Sequence, residues 1–237
     1  MCGIFTVVEP ALDAAGALPV LESLKHRGPD DEGLFSQNVG NVHVGLAHTR
    51  LSIIDLSLRG HQPMQASVGG PVIVFNGEIY NFLKLRGELE SAGHRFQSKT
   101  DTEVLLRAYV EWGESCLDRL AGMWAFVIWD PDKQQLFGSR DRFGIKPLYY
   151  SRSRDFLAVA SEIKALVAHS RVSTGPNMRR ILDYFLFNLH DHTSETMFEN
   201  IFQLPPAHAF RYALTDKKLA VWRYWTPAGH GGNGSDW

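Results

Sequence analysis

The sequence has few cysteines, since only Cys2 and Cys116 occur in 237 residues. Two cysteines cannot build the disulfide framework of a small secreted domain, and no Cys or His spacing matches a zinc site. No apolar run approaches the roughly 18–20 residues that a membrane-spanning helix requires. The N-terminus also lacks the basic and apolar regions of a signal peptide. We therefore expect a cytoplasmic protein in a reducing compartment that binds no metal.

The sequence also lacks an excess of either charge, with 24 basic and 26 acidic residues and a net charge of −2. Such a balance gives no long-range attraction to nucleic acid or to anionic lipid. We therefore predict neither a nucleic acid nor a membrane as partner. With 44% hydrophobic residues, the chain is long enough to bury a substantial core.

Short apolar and β-branched segments recur along the chain, and several are apolar on both faces. The pattern predicts strands at 4–8, 42–47, 72–75, 124–129, 135–139 and 157–160. Strands buried on both faces indicate sheets that are covered on each side. Helices are predicted at 12–24, after Asn81 as N-cap, after a capping-box pattern of Thr100 and Glu103, at 163–167 and at 178–189. The glycine- and proline-punctuated segment 25–33 predicts a loop. The mixture indicates an α+β fold.

Cys2 directly follows the initiator methionine, so removal of Met1 would make it the first residue. Its thiol would then be a nucleophile with its own α-amine available as a base. An α-amine titrates near about 7.7–8.0 and a thiol near about 8.5, so the amine is partly free to accept a proton at neutral pH. Position alone also fits an ordinary small residue near a strand, and other motifs must decide between the two.

Three further motifs allow both a structural and a chemical interpretation. Arg50 follows a predicted strand, where its guanidinium can bind a ligand carboxylate or pair with an acidic side chain. Asn76 and Gly77 either form a turn or supply two donors, a side-chain amide and a backbone N–H, to one oxyanion. Asp101, in the first turn of a helix, either responds to the helix dipole or binds a substrate ammonium group.

Taken in order, the motifs resemble the glutaminase domain of glutamine-hydrolysing asparagine synthetases, which are class II glutamine amidotransferases and N-terminal-nucleophile hydrolases. The resemblance covers about residues 1–170. It is carried by Met-Cys-Gly-Ile, the loop at 25–33, Arg-Leu-Ser-Ile-Ile-Asp, Phe-Asn-Gly-Glu-Ile-Tyr-Asn, Asp-Thr-Glu-Val-Leu, Gly-Met-Trp-Ala-Phe, Arg-Asp-Arg-Phe-Gly-Ile-Lys-Pro-Leu-Tyr-Tyr and Ala-Ser-Glu-Ile-Lys-Ala-Leu. It implies a four-layer αββα sandwich of two antiparallel sheets between helices.

The same resemblance implies that the chain hydrolyses glutamine to glutamate and ammonia. Cys2 is the implied nucleophile, and Asn76 with the Gly77 N–H would hold the oxyanions. Five further residues are implied in glutamine binding: Arg50 at the α-carboxylate, Glu78 and Asp101 at the α-ammonium, and Leu51 and Ile53 as pocket lining.

The ATP-binding Ser-Gly-Gly-x-Asp-Ser loop of the family's synthetase domain has no counterpart in the sequence. The glycine-rich segment 231–236 lacks a preceding buried strand, so we interpret it as part of a tail. We expect an amidotransferase domain at 1–212, a linker or tail at 213–237, and no cofactor in this chain. ATP and Mg would be needed only in a separate synthetase domain or subunit.

Two alternatives stay open at this point. The glutaminase could serve another acceptor, or the domain could be a catalytically silent regulatory or assembly module. An apolar face at Phe185, Phe187, Phe198 and Phe202 predicts a contact with a partner or a homodimer.

Overall fold

The computed structural model describes residues 1–11 and 17–227, which form two six-stranded sheets. Sheet A has the spatial order β10 (Ile201–Gln203), β8 (Tyr149–Ser153), β9 (Phe156–Ala160), β1 (Gly3–Pro10), β3 (Val42–Arg50) and β2 (Asp31–Val39). Sheet B has the order β12 (Leu219–Arg223), β11 (His208–Ala213), β7 (Gln135–Arg140), β6 (Gly122–Asp130), β5 (Val72–Ile79) and β4 (Met64–Gln65). All neighbouring strands run antiparallel.

Helices cover the outer face of each sheet. Helices α1 (Ala17–Leu24) and α4 (Ile163–Val167) pack on sheet A, and α2 (Phe82–Ser91) and α3 (Asp101–Trp112) pack on sheet B. A third apolar core lies between the sheets. The order is therefore helices, sheet, sheet, helices, and the predicted αββα sandwich is confirmed.

Strand β1 shows why its sequence is apolar on both faces. Ile4 and Val8 pack in the core between the sheets, whereas Phe5 and Val7 point to the helices on sheet A. Side chains alternate across a strand, so a strand that is covered on both sides needs an apolar residue at nearly every position.

The segment 25–33 is not a loop throughout, contrary to the prediction. Lys25–Arg27 form a 3₁₀ turn, and Asp31–Val39 form the edge strand β2. Gly33 lies within this strand. The position requires glycine, because a Cβ there would collide with the Gln62 carbonyl oxygen. The glycine therefore marks a close backbone approach and not a turn.

The predicted helix caps have different outcomes. Thr100 caps α3, since its hydroxyl accepts a hydrogen bond from the Glu103 N–H at 3.2 Å. The Glu103 carboxylate instead reaches further back, to the Ser98 N–H at 2.7 Å. The prediction that Asn81 caps α2 is wrong, because its side-chain oxygen accepts the Ala121 N–H at 3.0 Å instead of an N–H of the helix. Its amide nitrogen donates to the Arg119 carbonyl at 2.8 Å, so both contacts tie the start of α2 to the turn before β6.

The C-terminal part adds a helix and the last strand of sheet B. Helix α5 (Met178–Phe187) ends where Asn188 takes a left-handed conformation with φ of 55°. Strand β12 pairs with β11, so sheet B continues past residue 212. The helix start expected at Leu12 and the tail with its glycine-rich segment 231–236 lie outside the described residues. Within those residues, no helix combines the length and apolarity needed to cross a bilayer.

Candidate active site

One cleft where the two sheets meet brings together every residue that the sequence predicted for the site. Sheet A contributes Cys2, just before β1, and Arg50, the last residue of β3. Sheet B contributes Asn76 and Gly77 from β5, and α3 contributes Asp101. The cleft is further lined by Leu51, Ile53 and Glu78.

The Cys2 thiol lies half-buried against the backbone of Leu51. Its sulfur accepts a hydrogen bond from the Leu51 N–H at 3.4 Å and lies 3.7 Å from the Leu51 carbonyl oxygen. Burial raises the pKa of the Cys2 thiol, and the Leu51 N–H opposes that rise. Since the thiolate is the reactive form, this thiol needs a base close by. Met1 also lines the cleft, so its removal would free the α-amine and open space beside the sulfur.

Arg27 holds the backbone of Cys2 in place, a contact that the sequence did not predict. Its Nε donates to the Cys2 carbonyl oxygen at 2.8 Å, and another guanidinium nitrogen donates to Glu162 at 2.7 Å. Burial acts to raise the pKa of Glu162, but hydrogen bonds from Arg27, His26 and Lys164 outweigh it and lower the pKa to about 2. The charged pair therefore persists across the physiological range and fixes the backbone of Cys2.

Arg50 is bound by backbone carbonyls and not by an acidic side chain. Its guanidinium donates to the Ser57 carbonyl at 3.0 Å and to the Asp55 carbonyl. Gly60 packs flat on it, because a Cβ there would collide with the guanidinium. An arginine has five N–H donors, so donors remain for a ligand in the cleft. The salt-bridge alternative for Arg50 thus finds no carboxylate partner among residues 1–11 and 17–227.

Asn76 presents an unpaired donor to the cleft. Its side chain is 1% exposed, and within the described part of the chain its Nδ2 has no hydrogen-bond partner. A buried amide without a partner costs free energy, so it is normally satisfied by something that the site binds.

The Gly77 N–H is free for a geometric reason. On the edge of β5 that faces away from β6, the Phe75 N–H binds the Gln62 side chain at 2.7 Å and the Ile79 N–H binds Asp101 at 3.0 Å. Outward N–H groups recur at every second residue of a strand, so the Gly77 N–H lies between these two. No acceptor among the described residues takes it. Only glycine fits there, because a Cβ would collide with the Met123 carbonyl.

Asp101 is a buried carboxylate without a cationic partner in the described residues. Burial raises its pKa to about 6, hydrogen bonds from backbone N–H groups such as that of Ile79 oppose the rise, and the nearby Glu78 adds to it. An ammonium group placed beside Asp101 and Glu78 would supply the missing positive charge. The cleft therefore offers a guanidinium for an anion and carboxylates for a cation.

Two more residues of the site were missed by the sequence prediction. His48, between the sheets, lies 3.2 Å from the Phe75 carbonyl through its Nε2, and burial lowers its pKa to about 3, so it stays neutral as a link between sheets. Lys146 lines the cleft, and its loop is held by the Asp141 carboxylate, which accepts the Lys146 N–H at 2.9 Å. His48 gives no local sequence signal, because its contact lies 27 residues away along the chain. Lys146 lies in the motif Arg-Asp-Arg-Phe-Gly-Ile-Lys-Pro, and its loop is held by a residue of that same motif.

The geometry fits acyl transfer from an amino-acid amide. A thiol nucleophile, two unpaired donors for an oxyanion, and opposite charges for a free amino acid share one cleft. In the described residues, no group of three or more His, Cys, Asp or Glu side chains is arranged to hold a metal ion.

Comparison with known proteins points the same way. A family model described as a glutamine amidotransferase domain matches residues 1–225. The glutamine-hydrolyzing asparagine synthetase 3 of Bacillus subtilis (strain 168) is 37% identical over 206 residues, which cover 86% of this chain and 32% of that protein. The amidase chry2 of Gibberella zeae is 36% identical over 225 residues, covering 88% of this chain and 32% of that protein. The chain thus spans about a third of the length of these relatives.

A solved structure supports the fold. The glutamine phosphoribosylpyrophosphate amidotransferase of B. subtilis, complexed with ADP and GMP, superimposes with a TM-score of 0.63 at 20% identity. The match covers 94% of this chain and 49% of that chain.

Proposed function

Because the chain belongs to the glutamine amidotransferase domain family, we propose that it hydrolyses glutamine to glutamate and ammonia with Cys2 as the nucleophile. The observation that best supports this function is the pair of unpaired donors on β5, the Asn76 amide and the Gly77 N–H, in one cleft with the sulfur. A purely structural or regulatory module has no need to keep two such donors unsatisfied.

The reaction follows from these groups. After removal of Met1, the α-amine of Cys2 takes the thiol proton, directly or through a water, as the sulfur attacks the amide carbon of glutamine. Asn76 and the Gly77 N–H hold the oxyanion that forms. The C–N bond then breaks, the amine returns the proton to the departing ammonia, and a thioester remains. Water attacks the thioester through a second oxyanion, which releases glutamate and regenerates the thiol.

Replacing Arg50 with lysine is expected to raise KM for glutamine by roughly 10- to 100-fold, because a charge-assisted hydrogen bond contributes about 1.5–3 kcal/mol. Lysine keeps the charge but cannot hold the Asp55 and Ser57 carbonyls and a carboxylate together. The kcat should change much less. Steady-state kinetics checks both values, and an unchanged KM would remove Arg50 from the binding site.

Replacing Asp101 with asparagine is expected to stabilise the fold but to weaken glutamine binding. Its pKa in the folded protein is about 6, above the ordinary 3.8, so the folded state binds more protons than the unfolded state between these pH values. The contribution of Asp101 to stability therefore falls as pH rises through this window. Above pH 6, Asp101→Asn should raise the free energy of unfolding by roughly 1–3 kcal/mol and weaken glutamine binding.

Urea denaturation at pH 7 and pH 4 tests this prediction, because the gain in stability should largely vanish at pH 4. Calorimetry with glutamine measures the loss of affinity. A variant that binds glutamine as tightly as the wild type would contradict the role of Asp101, and an equal gain at both pH values would contradict the raised pKa.

The decisive experiment measures glutamate release by the purified chain. Intact-protein mass spectrometry should show loss of Met1, and 6-diazo-5-oxo-L-norleucine should attach one label to Cys2. Cys116→Ala is the matched control, because Cys116 is buried away from the cleft and burial raises its pKa to about 12. Loss of both activity and label on Cys2→Ala, with both retained in Cys116→Ala, supports the function. A processed chain that releases no glutamate and takes no label contradicts it.

The same proposal includes a synthetase domain or subunit that uses ATP and Mg and receives the ammonia. An apolar surface on α5 is its proposed contact, with Leu182, Phe185, Leu186 and Phe187 between 51% and 76% exposed. Phe198 and Phe202 do not belong to this surface, since both are half-buried and Phe202 stacks on Tyr150. Asparagine formation is the first candidate for the amidation, because a B. subtilis relative carries that name. Another acceptor is the second, since a similar relative, the amidase chry2, is not named as an asparagine synthetase. We also propose a reducing cytoplasmic location, as a free thiol requires.

A further inference from the structure

A second cleft, the arginine cleft, lies beside the glutamine site. It is lined by Arg59 of the 3₁₀ turn Leu58–Gly60, by the segment 64–68, by Phe96, Gln97 and Ser98, and by Glu103, Leu106 and Arg107 of α3. None of these residues lines the Cys2 cleft. Its position and its lining therefore define a separate site.

The positive charge in the arginine cleft is poorly compensated. The buried Nε of Arg107 has no hydrogen-bond partner among the described residues, and an outer guanidinium nitrogen lies 3.9 Å from Glu103. That carboxylate is already occupied, since it accepts from the Gln97 N–H at 2.9 Å and from the Ser98 N–H and hydroxyl at 2.7 Å. Arg59 donates to the Gln97 carbonyl at 3.0 Å and contacts no carboxylate in the described part.

The rest of the lining mixes apolar and polar side chains. Met64, Val68, Phe96 and Leu106 offer carbon surface, and Gln65 and Ser67 are polar. Clefts that bind small ligands combine such surface with a few polar groups that set orientation. Arginine pairs present forked donors that match phosphate oxygens.

We propose that the arginine cleft binds a phosphate ester with an apolar body and that its occupancy strengthens glutamine binding. The coupling has a direct structural route. Arg59 belongs to the turn whose Gly60 packs on Arg50, and Ser57, which caps this turn, also holds the Arg50 guanidinium through its carbonyl.

The wall of the arginine cleft that Gln97 and Ser98 form is also connected to the Cys2 cleft. Gln97 and Ser98 are held by Glu103, and the next residue, Lys99, donates its N–H to the Asp55 carboxylate at 3.2 Å. An anion between Arg59 and Arg107 would therefore hold the turn and α3 together, and with them Arg50 and Asp101, the two charged groups proposed to bind glutamine. The coupling rests on the proposed function, whereas the binding itself does not.

Calorimetry at low salt tests the binding with phenyl phosphate, inorganic phosphate and benzoate as probes. We expect phenyl phosphate to bind most tightly, with affinity reduced tenfold or more by Arg107→Met and clearly reduced by Arg59→Met. Arg95→Met is the matched control, since this arginine is exposed and lies next to Phe96 but does not line the cleft. No binding to the wild type, tighter binding of benzoate, or an equal loss in the control would overturn the site.

Glutaminase kinetics tests the coupling. Saturating phenyl phosphate should lower KM for glutamine about fivefold or more in the wild type and leave KM unchanged in Arg107→Met. An unchanged KM in the wild type, with binding seen by calorimetry, would overturn the coupling and keep the site. A chain without glutaminase activity would refute the proposed function, while calorimetry would still decide the phosphate site.

Discussion

A chain with an uncleaved N-terminal extension is expected to hydrolyse glutamine roughly 10⁴-fold or more slowly than the same chain after cleavage. A peptide bond to Cys2 turns its α-amine into an amide, which cannot accept the thiol proton at neutral pH. Burial already raises the pKa of this thiol, so few thiolates form without a base. The extension would also occupy the part of the cleft that Met1 lines.

The measurement compares glutamate release before and after a specific protease exposes Cys2. A second preparation that carries Cys2→Ala is treated identically and should stay inactive throughout. Equal rates before and after cleavage in the Cys2 protein would show that the free amine takes no part in the reaction.

The second large effect is expected at Asn76. Asn76→Ala should lower kcat by roughly 100- to 1,000-fold, because loss of one oxyanion donor costs about 2.7–4 kcal/mol of barrier. KM should change little, since the Asn76 amide acts on charge that develops only in the transition state. Its Nδ2 has no partner to lose among the residues that the structure describes, so the substitution should leave the fold intact.

Asn76→Asp serves as the isosteric comparison. It replaces the donor with an oxygen that repels an oxyanion, so its kcat should be no higher than that of Asn76→Ala. Steady-state assays of glutamate release measure kcat and KM for both variants. Equal proportional losses in kcat and in glutamine affinity would instead assign Asn76 to ground-state binding.

The parts of the site that the sequence revealed are those carried by local patterns. Cys2 is marked by its position, and Asn76 and Gly77 adjoin on one strand, so their chemistry can be recognised without a fold. The roles of these residues remain predictions until the kinetic measurements are made. The four layers could be anticipated because strands buried on both faces leave a strong apolar signal.

Other features depend on contacts between distant segments. Arg27 binds the Cys2 carbonyl and pairs with Glu162, 135 residues further along the chain, and nothing in either segment indicates this pairing. The sequence predicts a loop at Gly33, because glycine serves both turns and close backbone approaches. Only the neighbouring Gln62 backbone distinguishes the two. Asn81 has the side chain of a good cap, but its oxygen accepts a hydrogen bond from the distant Ala121 N–H.

His48 on one sheet lies 3.2 Å from the Phe75 carbonyl on the other and so links the two sheets. The Cys2 sulfur lies beside a strand of one sheet, and the proposed oxyanion donors Asn76 and Gly77 lie on a strand of the other. The distance between them therefore depends on how the two sheets pack. The relative position of these groups is therefore set by the apolar core between the sheets and by the neutral His48 side chain that contacts both sheets. A shift of one sheet against the other by a fraction of an ångström is expected to lower the rate of the proposed reaction, even if no side chain in the cleft changes its rotamer.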